Sequence, residues 1–218
     1  MKDTVLITDL EHAFSLSLAE VFAREGFRVF AMGGALSGRI TPLPSGAREA
    51  AAELEKQAGK LDFLIDTTDV YDPADTFTLS DGIDAAVMER VFRQNVLRPM
   101  RILENVLPLL DAGEGRRLFY LTGAGASING TRCVSGIAYA MSKASLHQFI
   151  QMTRNKLAPK GYTFRVFDPM HGRTAPEAAA ESAYHYITRR RGTENHDPLR
   201  DDEENLVFRD AQGRQHPW

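Results

Sequence analysis

Cysteine is almost missing from this chain: Cys133 is the single one in 218 residues. That excludes an internal disulfide framework and a cysteine-rich zinc site. An excess of one charge is missing too. The 26 basic and 29 acidic side chains leave a formal net charge of −3, which argues against nucleic acid or an anionic membrane surface as the main partner. No apolar run approaches membrane-spanning length, and Met1-Lys2-Asp3 leads into the short stretch Val5-Leu6-Ile7 without a secretory apolar region. His12, His147, His171, His185, His196 and His216 show no ligand spacing, so no metal site is expected. What remains is an ordinary composition, 43% hydrophobic and 25% charged, in a chain long enough to bury a core in one domain. The expectation is a cytoplasmic globular protein.

Apolar, β-rich runs alternate with helical stretches. Thr4–Thr8, Phe27–Met32, Ile40–Leu43, Leu61–Ile65, Leu118–Thr122 and Tyr162–Phe167 read as strands. Phe14, Leu18, Val21 and Phe22 recur on one helical face, Ala47–Ala58 consists of strong helix formers, and 83–110 and 139–157 are helical, with Pro99 and Pro108 as punctuation. Continuous apolar strands separated by helices imply a doubly wound α/β fold with a parallel sheet covered on both faces. One domain spans 1–175, and 176–218 is a C-terminal helix and tail in which Leu206–Phe208 offers a further edge strand. The acidic run 201–204 reads as a solvated linker and Arg189–Arg191 as the basic end of a helix. Ligands of such folds sit beyond the C-terminal ends of the strands, here Thr8-Asp9, Met32-Gly33, Asp66-Thr67, Thr122-Gly123 and Asp168-Pro169.

The sharpest motif is Tyr139-Ala140-Met141-Ser142-Lys143. Residues four apart share a helix face. An ammonium beside a phenol favours the phenolate, so the Tyr139 pKa is expected to fall toward working pH. A tyrosine so tuned exchanges a proton with a carbonyl or alcohol oxygen. The pattern alone arises by chance easily; its place, opening the helix after the 118–122 strand, makes it specific.

From Thr4 to Thr174 the chain resembles the short-chain dehydrogenase/reductase family. The resemblance implies a Rossmann-like fold with a nicotinamide cofactor and an Asn-Ser-Tyr-Lys catalytic group. Tyr139 and Lys143 match the tyrosine and lysine, Asn95 the helix asparagine that holds a water in the proton relay, and Asp168-Pro169 with Thr174 the segment around the nicotinamide, with Met170 replacing a glycine. The serine position is open between Ser127 and the Thr122 hydroxyl, Ser127 being preferred on spacing; Ser127 serving only its own loop is an equal alternative. By the resemblance, Thr8, Lys143, Pro169 and Thr174 contact the cofactor, the substrate is a small carbonyl or alcohol, and the assembly is a homodimer or homotetramer. Its interface would use Leu103, Val106, Leu107, Leu110, Phe149, Ile150 and Leu157 on two long helices.

The departures are as specific. The family's Thr-Gly-x-x-x-Gly-x-Gly turn reads Thr8-Asp9-Leu10-Glu11-His12-Ala13-Phe14-Ser15 here, with all three glycines gone. Those glycines let the backbone approach a pyrophosphate. Asp9 is expected to cap the following helix and Glu11 to lie in its first turn. The Asn-Asn-Ala-Gly turn has become Asp66-Thr67-Thr68-Asp69. No acidic residue ends the second strand; Arg39, otherwise a solvated cation, gives NADP a slight preference over NAD. Two readings follow. The first is an oxidoreductase, favoured by the retained tyrosine, lysine and asparagine. The second is a family fold that has lost its dinucleotide: a non-redox enzyme such as a dehalogenase-like lyase, or a binding protein.

Overall fold

A computed structural model describes residues 3–33, 38–189 and 205–218. The expected acidic linker, Arg190 and Arg191 lie outside these residues.

The sheet has eight strands in the order β3-β2-β1-β4-β5-β6-β7-β8. They are β1 Thr4–Ile7, β2 Arg28–Met32, β3 Ile40–Leu43, β4 Phe63–Asp66, β5 Arg117–Leu121, β6 Thr163–Asp168, β7 Phe208–Asp210 and β8 Gln215–His216. Every neighbouring pair is parallel except β7–β8, a short hairpin. The central strands are apolar without alternation because helices cover both faces. On one face α1 (Ala13–Arg24) and α6 (Pro176–Thr188) lay Phe14, Leu18, Phe22, Ala180 and Ile187 over Ile7, Ile65 and Phe167. On the other, α2 (Ala47–Ala58), α4 (Arg98–Ala112) and α5 (Ile137–Leu157) enclose Leu6, Leu64, Leu118 and Val166.

The N-terminal edge of the sheet is tied by one carboxylate. Asp62, wholly buried, accepts the backbone N–H groups of Thr4 at 2.9 Å, Glu114 at 2.8 Å and Gly115 at 3.2 Å, and pairs with Lys60 at 3.2 Å.

The long 83–110 helix is two helices. α3 (Ala85–Phe92) begins at Asp84, whose carboxylate accepts the N–H groups of Ala86 and Val87. A five-residue π turn, Arg93–Leu97, then leads into α4. Pro99 and Pro108 both lie inside α4 and do not end it; Pro99 sits in the first turn, where a missing N–H is harmless. The expected edge strand after residue 205 exists as β7, parallel to β6. The proposed interface residues need correction. Leu103, Val106, Leu110, Ile150 and Leu157 are at most 5% exposed and belong to the core beneath α4 and α5.

Candidate active site at the strand ends

Asp69 organises the C-terminal edge of the sheet. It follows β4 in the segment Asp66-Thr67-Thr68-Asp69, which turns where the strand leaves the sheet. Its Oδ1 accepts the Tyr139 hydroxyl at 2.8 Å and lies 3.0 Å from Lys143 Nζ. Its Oδ2 lies 3.3 Å from His171 Nε2. Tyr139 and Lys143 therefore do share a face of α5, as their spacing predicts, but a carboxylate stands between their polar ends. Lys143 also donates to the carbonyls of Thr68 at 2.6 Å and Leu121 at 3.1 Å. Three acceptors thus meet the three hydrogens of an ammonium that is 0% exposed.

This geometry reverses the expected electrostatics. Burial pushes the Tyr139 phenol up, and the charge and hydrogen bond of Asp69 push it further, well above its ordinary value. Burial alone would raise the Asp69 carboxyl too, but Lys143, His171 and Tyr139 outweigh it and hold the group well below the usual carboxylate range. The hydrogen bond to Asp69 raises His171. The lysine charge is spent on Asp69 rather than on the phenol, because a carboxylate closer to the hydroxyl outweighs a cation on its far side.

Asn95 sits in the π turn, wholly buried. Its Oδ1 accepts the Val70 N–H at 2.9 Å, and its Nδ2 donates to the Val70 carbonyl at 2.8 Å and to Ser142 Oγ at 3.0 Å. Its side chain thus clamps the loop that carries Asp69. Ser127 Oγ accepts the Gly130 N–H at 2.8 Å, so the hydroxyl serves its own loop. Thr122 Oγ1 is 2.7 Å from His147 Nε2 in the interior, and burial, with Lys143, lowers His147 to about 4. Among the described residues, neither hydroxyl hydrogen-bonds the Tyr139 phenol. The residue that is brought there is Gly123: a Cβ built on it would lie 2.9 Å from the phenol oxygen.

Asp9 and Glu11 also differ from expectation. α1 starts at Ala13 after His12, no side chain caps it, and its first turn holds no acidic residue. Asp9 instead accepts the Glu11 N–H at 2.8 Å and faces Arg98 Nη1 at 3.6 Å, and Glu11 is exposed. Arg98 also donates to the Thr8 carbonyl at 2.7 Å and to Thr68 Oγ1 at 2.8 Å. Thr8 Oγ1 accepts the Thr67 N–H at 3.3 Å. The glycine-free turn is thus held by side-chain bonds to the β4 loop, and Phe14 fills it, stacking on Phe167 at 6.1 Å and meeting His171 edge-on at 6.4 Å. Beside Phe14 a cavity of about 500 Å³ opens against Pro169, His171, Arg173, Thr174 and Pro176. Arg39 does not reach this edge. It lines a separate pocket with Thr4, Arg28 and Lys60 at the strand starts, away from the strand ends where ligands of this fold sit.

Asp69 is the residue of this cluster that sequence reasoning missed; His171, just past Asp168-Pro169, reads from sequence as a loop histidine near the expected pocket that could touch a substrate. The one available signal for Asp69 was a carboxylate four residues into the altered turn after β4.

The sequence model described as short chain dehydrogenase matches residues 35–184. Over 111 residues the chain is 30% identical to the C-signal protein of Myxococcus xanthus, an alignment covering 51% of this chain and 65% of that protein. Over 78 residues it is 33% identical to an uncharacterized oxidoreductase of Saccharomyces cerevisiae, covering 36% of this chain and 30% of that one. The chain therefore spans less than two thirds of both relatives. Among solved structures, the carbonyl reductase Sniffer of D. melanogaster superposes with a TM-score of 0.80 at 16% identity, covering both chains completely. A carbonyl reductase from Pseudomonas aeruginosa PAO1 in complex with NADP gives 0.77 at 18%, again over both whole chains.

Proposed function

Since the chain belongs to the short-chain dehydrogenase/reductase family of oxidoreductases, we propose that it reduces a small carbonyl compound with a nicotinamide dinucleotide, Tyr139 delivering the proton. The observation that carries this reading is the meeting of Tyr139 and Lys143 at one strand end, within reach of His171, which lines the cavity beside Phe14. The fit to a dinucleotide rests on that cavity and on Pro169 and Thr174 in its wall. NADP is the form bound by the Pseudomonas neighbour.

A bound nicotinamide would supply the hydride to the carbonyl carbon. Tyr139 passes its hydroxyl proton to the carbonyl oxygen, completing the alcohol. Burial and Asp69 raise the phenol, so Tyr139 holds its proton until the hydrogen bond to Asp69 is exchanged for one to the carbonyl oxygen. Lys143 holds the Asp69 carboxylate beside the phenol, and its charge becomes available to a tyrosinate only when that carboxylate moves. Asn95 fixes the Asp69 loop through Val70, and Ser127 and Thr8 shape the surrounding loops. A homo-oligomer is part of the proposal, to be checked by sedimentation.

A second reading is favoured by the complete burial of Lys143 and by Phe14 in the turn: a member of the family that takes no dinucleotide. Calorimetry with NADPH and NADH decides between them. Micromolar binding that is lost in Lys143→Ala supports the reductase; no binding at millimolar ligand ends that reading.

A further inference from the structure

We propose that Asp69 is an internal competitor for the site: it occupies the Lys143 and Tyr139 groups that a bound ligand needs, and it sets how tightly a dinucleotide binds. The proposal rests on the reductase reading above and goes beyond it by assigning a role to a residue outside the Asn-Ser-Tyr-Lys group.

Lys143 has no donor to spare. Its three hydrogens face Thr68 O, Leu121 O and Asp69 Oδ1, and none of its surface is open. Two of these acceptors are backbone carbonyls, Leu121 at the end of β5 and Thr68 in the segment after β4, and neither can swing aside by a side-chain rotation. Only the third is a side chain, carried by a loop. The Tyr139 hydrogen goes to the same Oδ1. One carboxylate oxygen thus closes both groups, and a hydroxyl-bearing ligand reaches either of them only when that oxygen moves. Asp69 has a place to go: its other oxygen already lies 3.3 Å from His171, whose side chain is 48% exposed. Rotation toward His171 keeps a hydrogen-bond partner for the carboxylate while it frees one lysine hydrogen and the phenol. Competition of this kind lowers apparent affinity by the population of the open form.

The test is calorimetric titration of NADPH into the wild-type protein, Asp69→Asn and Asp69→Ser, with circular dichroism to show that each is folded. Asparagine keeps the shape and an acceptor for Lys143 but removes the charge; serine is too short to reach it and serves if asparagine does not fold. The expected result is binding tighter than wild type by roughly tenfold or more in the folded variants. Equal or weaker binding by both variants, with wild type binding, overturns the competitor role and leaves the reductase reading standing. Absence of binding in all three proteins overturns both.

Discussion

A Cβ placed on Gly123 would lie 2.9 Å from the Tyr139 hydroxyl oxygen. The backbone of the loop after β5 therefore rests directly on the phenol. The backbone at Gly123 is extended, with φ −151, so glycine is present for space and not for conformation. Gly123→Ser should crowd the phenol off Asp69. The expected outcome is a Tyr139 that ionises at lower pH than in wild type, read by ultraviolet difference titration, with a stability loss of about 1–3 kcal/mol for overpacking.

Asn95 satisfies both peptide groups of Val70 and the Ser142 hydroxyl from one buried amide. Asn95→Ala strands those groups. Unfolding in urea should show a loss of about 2–4 kcal/mol, since unmade buried hydrogen bonds each cost about 1–3 kcal/mol. Asn95→Asp should be no better, because a carboxylate cannot donate to the Val70 carbonyl.

Phe14 is 1% exposed and stacked on Phe167. Phe14→Ala should lower stability by about 3–5 kcal/mol, measured by the denaturant midpoint. A loss under about 1 kcal/mol would mean that the ring does not fill the first turn.

Met170 holds a left-handed backbone, φ 57, at a position where the family has glycine, and its side chain is 8% exposed. Met170→Ala loses the side-chain packing and keeps the strain; Met170→Gly loses the packing and relieves it. The glycine variant should be the more stable of the two by about 1 kcal/mol, opposite to the usual order of alanine and glycine.

The pH dependence has two limbs. His171 is raised by Asp69, so its contribution to stability is full below its ordinary pKa of about 6.5 and is lost as pH rises past the folded value. Asp69 and Asp62 are lowered in the fold, so their contributions are full above about pH 4 and are lost as pH falls toward the folded values. Thermal melting should show His171→Gln differing from wild type at pH 6 and converging with it at alkaline pH. Asp62→Asn should flatten the acid limb.

Ile40–Leu43 and Ala47–Ala58 are observed with the bounds that their residues predict; the other expected strands differ by one or two residues at their ends, and β8 is not among the expected ones. Continuous apolar runs and strong helix formers carry their own signal, so the parallel sheet was legible. The π turn was not, because Arg93–Leu97 is as helical in composition as its flanks; only the tertiary demand on Asn95 reveals it. Nor was the burial of Leu103, Val106 and Ile150 distinguishable from an interface stripe, since both are apolar at helical spacing. In the site, Tyr139 and Lys143 were legible as a pair because four residues make one turn. Their partner Asp69 is 70 residues away from the tyrosine in the chain, and no local pattern spans that distance.

The π turn fixes more than one side chain. Five residues wound with a wider turn amount to one extra residue inserted in an otherwise continuous helix. Each residue turns an α-helix by about 100°, so that single insertion reorients everything downstream. With it, Asn95 faces Val70 while Ile102, Val106 and Leu110 face the sheet. A deletion within 93–97 would regularise the helix and leave one of the two faces misdirected. The core stripe of α4 and the clamp on the Asp69 loop are therefore phased by the same five residues, and neither can be re-registered alone.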